Sequence, residues 1–173
     1  MFADLTSIKA LIILDNNGER VLSKYYDDHF PTLKDKQDFE ANLFKKTYQT
    51  DFEIIACQGL TVCYKSSVDI LFYVVGSSEE NELILVNTLT TFFDTVSIIL
   101  RKNVEKKAVF DKMDYIILAA DEFIEGGVLM ENESENITSR VYPKPEQDIP
   151  LTEQTMTQVL QNAREGFKWT LLR

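Results

Sequence analysis

The sequence has 173 residues, a formal net charge of −10 and two cysteines. The length suits a single domain whose core requires neither disulfides nor metal, and the acidic balance argues against a general nucleic-acid binder, which needs a basic face. No apolar run approaches the roughly 18 residues of a membrane span and the N-terminus lacks a signal-peptide pattern, so we expect a cytosolic protein.

The first predicted elements form a β-hairpin. Residues 10–14 are all apolar, which is typical of a strand covered on both faces of its sheet. Residues 15–18 indicate a tight turn, and residues 20–26 form the second strand. This strand mixes Val21 and Leu22 with charged residues. We therefore expect it at a sheet edge, where charge discourages further pairing.

A helix and three more strands follow. Aromatic and aliphatic residues recur at helical spacing over residues 34–48, which predicts a helix on one face of the sheet. Residues 52–57 and 60–65 flank Gln58-Gly59 and form a second hairpin. The fifth strand, residues 69–76, is apolar at successive positions and therefore belongs at the centre of the sheet.

The arrangement of these strands follows from their burial. Only the first and the fifth are apolar on both sides, so we expect them side by side, with each hairpin extending outward. The predicted sheet order is 2-1-5-4-3, with the two central strands parallel. The chain order is β-β-α-β-β-β-α in the α/β (α+β) class, with helices on both faces and additional C-terminal helices.

A long helix follows the fifth strand. Ser77 supplies a capping oxygen, with Glu80 three residues on. Large apolar residues recur three and four apart as far as Leu100. We expect Arg101 and Lys102 in the last turn, where basic side chains meet unpaired carbonyls. The apolar stripe of this helix lies on the sheet.

A further helix is predicted over residues 109–124. It ends at Gly126-Gly127, a normal helix stop, and packs beside the long helix. Residues 131–135 are acidic and form a loop, and residues 136–141 form one or two helical turns.

The sequence predicts three parts. Residues 1–142 form one domain, residues 143–151 a proline-containing linker, and residues 152–173 an amphipathic C-terminal helix or tail. Because so short a helix is marginal alone in water, we expect it to dock on its own domain or on a partner.

The two cysteines flank the predicted turn of the second hairpin. A two-residue loop places Cys57 opposite Leu60 and Cys63 opposite Ile54, so the sulfurs are not cross-strand partners. Two lone cysteines also cannot form a zinc site. We expect both to be buried thiols.

No known catalytic pattern occurs: there is no Walker loop, G-x-G-x-x-G, H-E-x-x-H or G-x-S-x-G. His29 lies in a loop, where a solvated or satisfied histidine is expected more often than a catalytic base. Two groups of carboxylates occupy a helix start and a solvated helix face: Glu79, Glu80, Glu82, Asp121, Glu122 and Glu125. We expect no catalytic residue, cofactor or metal, and no enzyme.

One basic run departs from the acidic background: Arg101, Lys102, Lys106, Lys107 and Lys112. Such a cluster near a helix junction could face anionic lipid, because each cation near the surface contributes about 1 kcal/mol. The other interpretation is a solvated junction whose charges match the helix dipole.

Several segments closely resemble the coatomer zeta family, which belongs to the longin-like small subunits of adaptor complexes. These segments are residues 59–67, 76–83, 100–107, 121–127, 150–155 and 168–173. The resemblance covers nearly the whole chain and implies a longin-like fold.

The resemblance also implies partners and a role. It implies that the chain is held by the N-terminal trunk of the coatomer gamma subunit, in a coat layer that also contains beta and delta. The GTPase Arf recruits this coat to the cytosolic face of Golgi membranes for Golgi-to-ER retrograde and intra-Golgi transport. The family brings no catalytic residues. Two alternatives remain open: a sigma-like receptor for dileucine sorting signals and a longin-type membrane-binding regulator.

Candidate partner-binding residues lie in the C-terminal tail. Interface anchors are commonly aromatic or large aliphatic residues, which favours Leu160, Phe167 and Trp169 as contacts with gamma. The alternative is that this tail packs on its own domain or is disordered.

Overall fold

The computed structural model describes residues 8–48 and 53–142. The strands are β1 (Ile8–Asp15), β2 (Arg20–Tyr25), β3 (Glu53–Cys57), β4 (Leu60–Ser67), β5 (Ile70–Ser77), β6 (Ile124–Glu125) and β7 (Val128–Leu129). The helices are α1 (Leu33–Thr47), α2 (Glu82–Ile99), α3 (Lys106–Asp111), α4 (Met113–Phe123) and α5 (Ser134–Val141). The predicted linker, residues 143–151, and tail, residues 152–173, lie outside the described residues.

Five strands form one sheet in the order β2-β1-β5-β4-β3, which confirms the predicted order. The predicted parallel pairing of the central strands is wrong, because β1 and β5 are antiparallel, with Leu11 opposite Val74. The reason lies in α1, which carries the chain back to the end of the sheet where β2 began. Consequently β3 runs in the direction of β2, and two hairpins give β5 that direction too.

The register of the β3–β4 hairpin agrees with the prediction. Cys57 pairs with Leu60 and Cys63 with Ile54, and both cysteines are buried free thiols. Burial, followed by the charge of Glu82, raises the pKa of the Cys63 thiol to about 11, so this thiol is protonated at neutral pH.

Helix α1 covers one face of the sheet. It begins with a capping box, in which the Asp35 amide donates to Thr32 Oγ1 at 3.1 Å and the Thr32 amide donates to Asp35 Oδ2 at 3.1 Å. Phe39 and Leu43 are fully buried and pack against strand residues that point to this side, among them Tyr73. We call this side the α1 face.

Helix α2 lies on the opposite side of the sheet, and its start differs from the prediction. Ser77 is the last residue of β5, and the cap is Asn81, whose Oδ1 accepts from the Leu83 amide at 3.0 Å. The acidic run between them made Ser77 look like a cap, whereas the strand continues through it. On this side Phe72 contacts Phe92 and Phe93 edge-on, with ring centroids 6.1 and 5.2 Å apart.

Helix α2 ends at Ile99, so Arg101 and Lys102 lie beyond its last turn, contrary to the prediction. The Lys102 amide donates to the Ser97 carbonyl at 2.7 Å and the Arg101 amide to the Ile98 carbonyl at 3.1 Å. These two bonds are those of a Schellman motif, whose left-handed position is usually glycine. Here Arg101 (φ 53°) and Lys102 (φ 70°) adopt that conformation.

The second helical region is divided, whereas one continuous helix was predicted. Lys112 (φ −127°) leaves the helical conformation between α3 and α4. Helix α4 ends at Phe123, and Gly126-Gly127 form the turn of the β6–β7 hairpin instead of a helix stop. The predicted packing beside α2 is confirmed by the stacked rings of Phe92 and Phe123.

Helix α5 completes this side by packing on both α2 and α4. It begins at Ser134, slightly before the predicted turns at residues 136–141. Helix α2 has the length and hydropathy of a membrane span, but the fold uses it as a core helix whose apolar side chains pack on the sheet. We call the side covered by α2, α4 and α5 the three-helix face.

Candidate interaction surface

A buried ion pair joins the first hairpin to α3. Asp15 is fully buried at the end of β1 and accepts from Lys106 Nζ at 2.6 Å and from the Asn17 and Glu19 amides at 2.9 and 2.8 Å. Burial opposes ionisation of Asp15, but these hydrogen bonds outweigh it and hold its pKa below the usual value. The bond to Asp15 correspondingly raises the pKa of Lys106. This cluster is a structural clamp.

A second buried carboxylate joins α1 to the edge strand β2. Glu40 accepts from Arg20 Nε at 2.8 Å and from the Tyr25 hydroxyl at 2.9 Å. Burial and the nearby Glu40 charge raise the pKa of Tyr25, so this hydroxyl stays protonated and remains a donor. Neither Asp15 nor Glu40 was singled out from the sequence. The signal available was a carboxylate at the end of an apolar strand, or in a helix next to apolar positions.

The residues considered as possible catalytic or metal-binding groups lie apart from one another. His29 is exposed in the loop before α1, with its ring edge-on to Phe30 at 4.8 Å. Asp121 pairs with Lys24, and Glu122 accepts from Arg140 at 3.1 Å. Among the described residues, no three His, Cys, Asp or Glu side chains are placed to hold a metal ion.

The predicted basic run is split by the fold. Lys106 forms an ion pair with Asp15. Lys112 Nζ lies over the rings of Tyr115 and Tyr142, 5.5 and 5.6 Å from their centroids. Lys112 also lines a shallow groove of about 330 Å³ together with Arg101 and Asp111. The remaining cations, Arg101, Lys102 and Lys107, are exposed, and none of them has an ion pair within the described ranges. The fold therefore leaves these three cations available to a partner.

Both α3 and α4 expose apolar side chains to solvent. Phe110, Ile117 and Leu118 are 53%, 38% and 52% exposed. Phe110 lies near the end of α3, and Ile117 and Leu118 are adjacent residues of α4. We call these three residues the α3–α4 strip.

The candidate partner-binding residues Leu160, Phe167 and Trp169 lie outside the described residues. They stay a prediction.

The fold and the comparisons define the class of protein. Residues 7–147 match the model of the family described as "Clathrin adaptor complex small chain". A chain in a homology model of the full-length AP-3 complex has the same fold, with a TM-score of 0.60 over 92% of this chain and 98% of that one, at 13% identity. The chain belongs to the clathrin adaptor complex small chain family, and its predicted longin-like fold is confirmed.

Within this class, coatomer zeta proteins are similar over nearly the full length. The chain is 52% identical to "Coatomer subunit zeta-1" of Bos taurus and of Homo sapiens, over 98% of this chain and 95% of each relative. It is 38% identical to "Coatomer subunit zeta-1" of Arabidopsis thaliana, over 96% of this chain and 97% of the relative. The resemblance to the coatomer zeta family is confirmed.

Proposed function

We propose that this chain is a zeta-type small subunit of the coatomer vesicle coat and that its role is structural. The observation that carries the proposal is the 52% identity to the zeta-1 proteins, which extends over 98% of this chain. Identity spread over the whole length favours the same fold and the same assembly.

The proposed role is non-catalytic. In support, the buried carboxylates Asp15 and Glu40 are each committed to holding a helix against the β1–β2 hairpin. Such groups stabilise a rigid small domain, which is what a subunit that lends shape to a larger assembly requires.

The direct partner in this proposal is the N-terminal trunk of the gamma subunit, with beta and delta in the same coat layer. The coat is recruited by Arf to the cytosolic face of Golgi membranes and carries proteins from the Golgi to the ER and within the Golgi. The exposed α3–α4 strip supports a protein contact, because aromatic and aliphatic anchors are typical of interface centres. Leu160, Phe167 and Trp169 are the proposed anchors in the tail.

Co-expression with the gamma trunk tests the proposal. The full chain should co-purify with gamma in one peak, and the double change Phe110→Ser and Leu118→Ser should reduce recovery at least about tenfold, as expected for interface anchors. Leu33→Ser is the control, since Leu33 is 61% exposed but lies on α1, across the sheet. Failure of the unaltered chain to bind gamma would contradict the assignment.

The tail is tested separately. Trp169→Ala should reduce recovery with gamma, and Trp169→Phe should retain most of it because an aromatic anchor remains. Unchanged recovery with Trp169→Ala would remove the tail from the interface and leave the α3–α4 strip as its proposed centre.

A further inference from the structure

The turn between β4 and β5 exposes a valine side chain to solvent. Val68, in the turn between β4 and β5, is 86% exposed, the largest value among the described apolar side chains. Its neighbours on both sides are fixed. Ser67 Oγ donates to the Val104 carbonyl at 2.9 Å, and Asp69 Oδ1 accepts from the Lys106 amide at 2.8 Å. The turn is therefore fastened to the loop between α2 and α3.

The same loop carries the three exposed cations. Arg101 and Lys102 precede Val104 in the loop, and Lys107 follows Lys106 at the start of α3. We call Val68, Arg101, Lys102 and Lys107 the basic tip.

Most of the carboxylates near the basic tip have other partners. Asp69 accepts from a backbone amide, and Glu105 accepts from the Asn103 side-chain amide at 2.8 Å. Asp15 is buried against Lys106, and Glu19 lies 4.0 Å from the same ammonium group. Asp111 lies on the groove beside Arg101. No ion pair joins any of these carboxylates to a cation of the basic tip within the described chain.

The basic tip also departs from local rules. Arg101 and Lys102 occupy left-handed backbone positions that favour glycine, and Lys107 lies in the first turn of α3, where the helix dipole disfavours a cation. Local conflicts of this kind concentrate where a surface serves something other than folding. As a result, a chain of net charge −10 carries three exposed cations between residues 101 and 107.

We propose that the basic tip docks on the anionic leaflet of a membrane. Arg101, Lys102 and Lys107 face the lipid phosphates, and Val68 enters the interfacial region between them. The partner is a lipid surface because the tip combines cations with a projecting aliphatic side chain. A soluble anion would bind the cations but would offer no apolar environment for the aliphatic group. The net negative charge of the whole chain is repelled by the same leaflet, which favours an orientation with the tip toward the lipid. This contact goes beyond the proposed function, which requires only protein partners.

Vesicle flotation of the full chain is the direct test. We expect binding to vesicles of phosphatidylcholine with about one third phosphatidylserine, weak binding to phosphatidylcholine alone, and loss of binding as salt shortens the screening length. Equal binding to both compositions, or none to either, overturns the proposal.

Matched charge reversals locate the contact. Lys102→Glu with Lys107→Glu should reduce binding at least about 25-fold, since each cation near an anionic surface is worth roughly fivefold. Lys34→Glu with Lys45→Glu makes the same change in net charge on exposed residues of α1 and should leave most of the binding intact. Equal losses in the two double variants would assign the effect to net charge and overturn the proposal.

A further variant separates insertion from attraction. Val68→Ser should reduce binding by up to about tenfold, the factor for withdrawing a valine side chain from water, and this factor should stay the same as salt is raised over the range in which the unaltered chain still binds. No effect of Val68→Ser overturns the insertion step. Recovery of each variant with the gamma trunk is measured in parallel, so that loss of vesicle binding with retained gamma binding is distinguishable from failure of the proposed coat assembly. Binding of the tip to an acidic protein and not to vesicles also overturns the proposal.

Discussion

The two faces of the sheet are covered by different means. One helix covers the α1 face, and polar bonds fix it: Glu40 holds Arg20 and Tyr25, and the Tyr73 hydroxyl lies 2.7 Å from Thr47 Oγ1. Several helices cover the three-helix face, where Phe72 packs among aromatic rings. On the three-helix face the ion pair of Asp15 with Lys106 fastens the short helix α3, whereas the long helix α2 lies on the sheet through packed apolar side chains.

The largest expected effect comes from truncating a ring on each face. Phe72→Ala should lower the free energy of unfolding by about 4 to 5 kcal/mol, and Phe39→Ala by about 3 kcal/mol. Truncating Phe72, on a central strand, removes its contacts with two aromatic rings, those of Phe92 and Phe93. Truncating Phe39 removes one ring contact, with Phe30 at 4.4 Å. Urea unfolding measures both. A larger loss for Phe39→Ala would reverse the comparison.

Asp15→Asn should lower the free energy of unfolding by about 2 kcal/mol, because the fully buried position then loses the charged acceptor of a hydrogen bond from the partly exposed Lys106 ammonium group. The pKa of Asp15 is lowered in the folded state, so its contribution is complete above the unfolded pKa of about 3.9 and is lost as pH falls through the folded value. The stability difference between the two proteins should therefore shrink below about pH 4.

Thermal unfolding from pH 7 to pH 2.5 measures this difference. Glu19→Gln is the control, since this 76% exposed carboxylate should contribute less than about 0.5 kcal/mol. A difference that stays constant over the whole acid range would contradict the role given to the ionised Asp15.

Two tyrosine hydroxyls sharpen the contrast between directed bonds and packing. Thr47 Oγ1 donates to the Leu43 carbonyl, so the Tyr73 hydroxyl donates to Thr47, and Tyr73→Phe should cost about 1 to 2 kcal/mol. The Tyr26 hydroxyl, on the three-helix face, is buried with no hydrogen-bond partner among the described residues. Tyr26→Phe should therefore be neutral or stabilising by up to about 1 kcal/mol. Equal losses of unfolding free energy for Tyr73→Phe and Tyr26→Phe in urea would contradict the different roles given to the two hydroxyl groups.

The smallest expected effect concerns two turns next to the three-helix face. Arg101→Gly should stabilise the fold by about 0.5 to 1 kcal/mol, because glycine relieves the left-handed strain at φ 53°. Gly126→Ala, at φ 55° with open space around the added methyl group, should destabilise by about 1 kcal/mol. Chemical denaturation measures both, and destabilisation by Arg101→Gly would mean that the Arg101 side chain contributes to folding.

Burial patterns carried most of the prediction of the fold. Residues 10–14 and 70–75 are apolar throughout because both faces of the central strands are covered, and this pattern together with the two hairpins fixes the sheet order. The predicted direction of β5 is wrong because strand direction depends on the return path of α1, which brings the chain back to the end of the sheet where β2 begins. It could have been derived, since a single helical crossover restores the direction of β2.

The other wrong predictions concern positions where the same local sequence is compatible with two backbone conformations. Lys112 interrupts an otherwise helical apolar pattern without glycine or proline, and the Gly126-Gly127 pair serves a hairpin as readily as a helix end. The basic run was visible in the sequence. The division of this run was not, because it depends on Asp15, which is distant in sequence but paired with Lys106 in space.

The position of β1 has a consequence for synthesis. Leu11 pairs with Lys24 within a local hairpin, but its other neighbour is Val74, which leaves the ribosome much later. Until β5 emerges, the apolar run of β1 has an open edge, and closing this long loop sets the contact order and slows folding. The nascent chain therefore exposes an aggregation-prone edge in the interval between the emergence of β1 and that of β5, which gives a cotranslational chaperone a defined segment to shield.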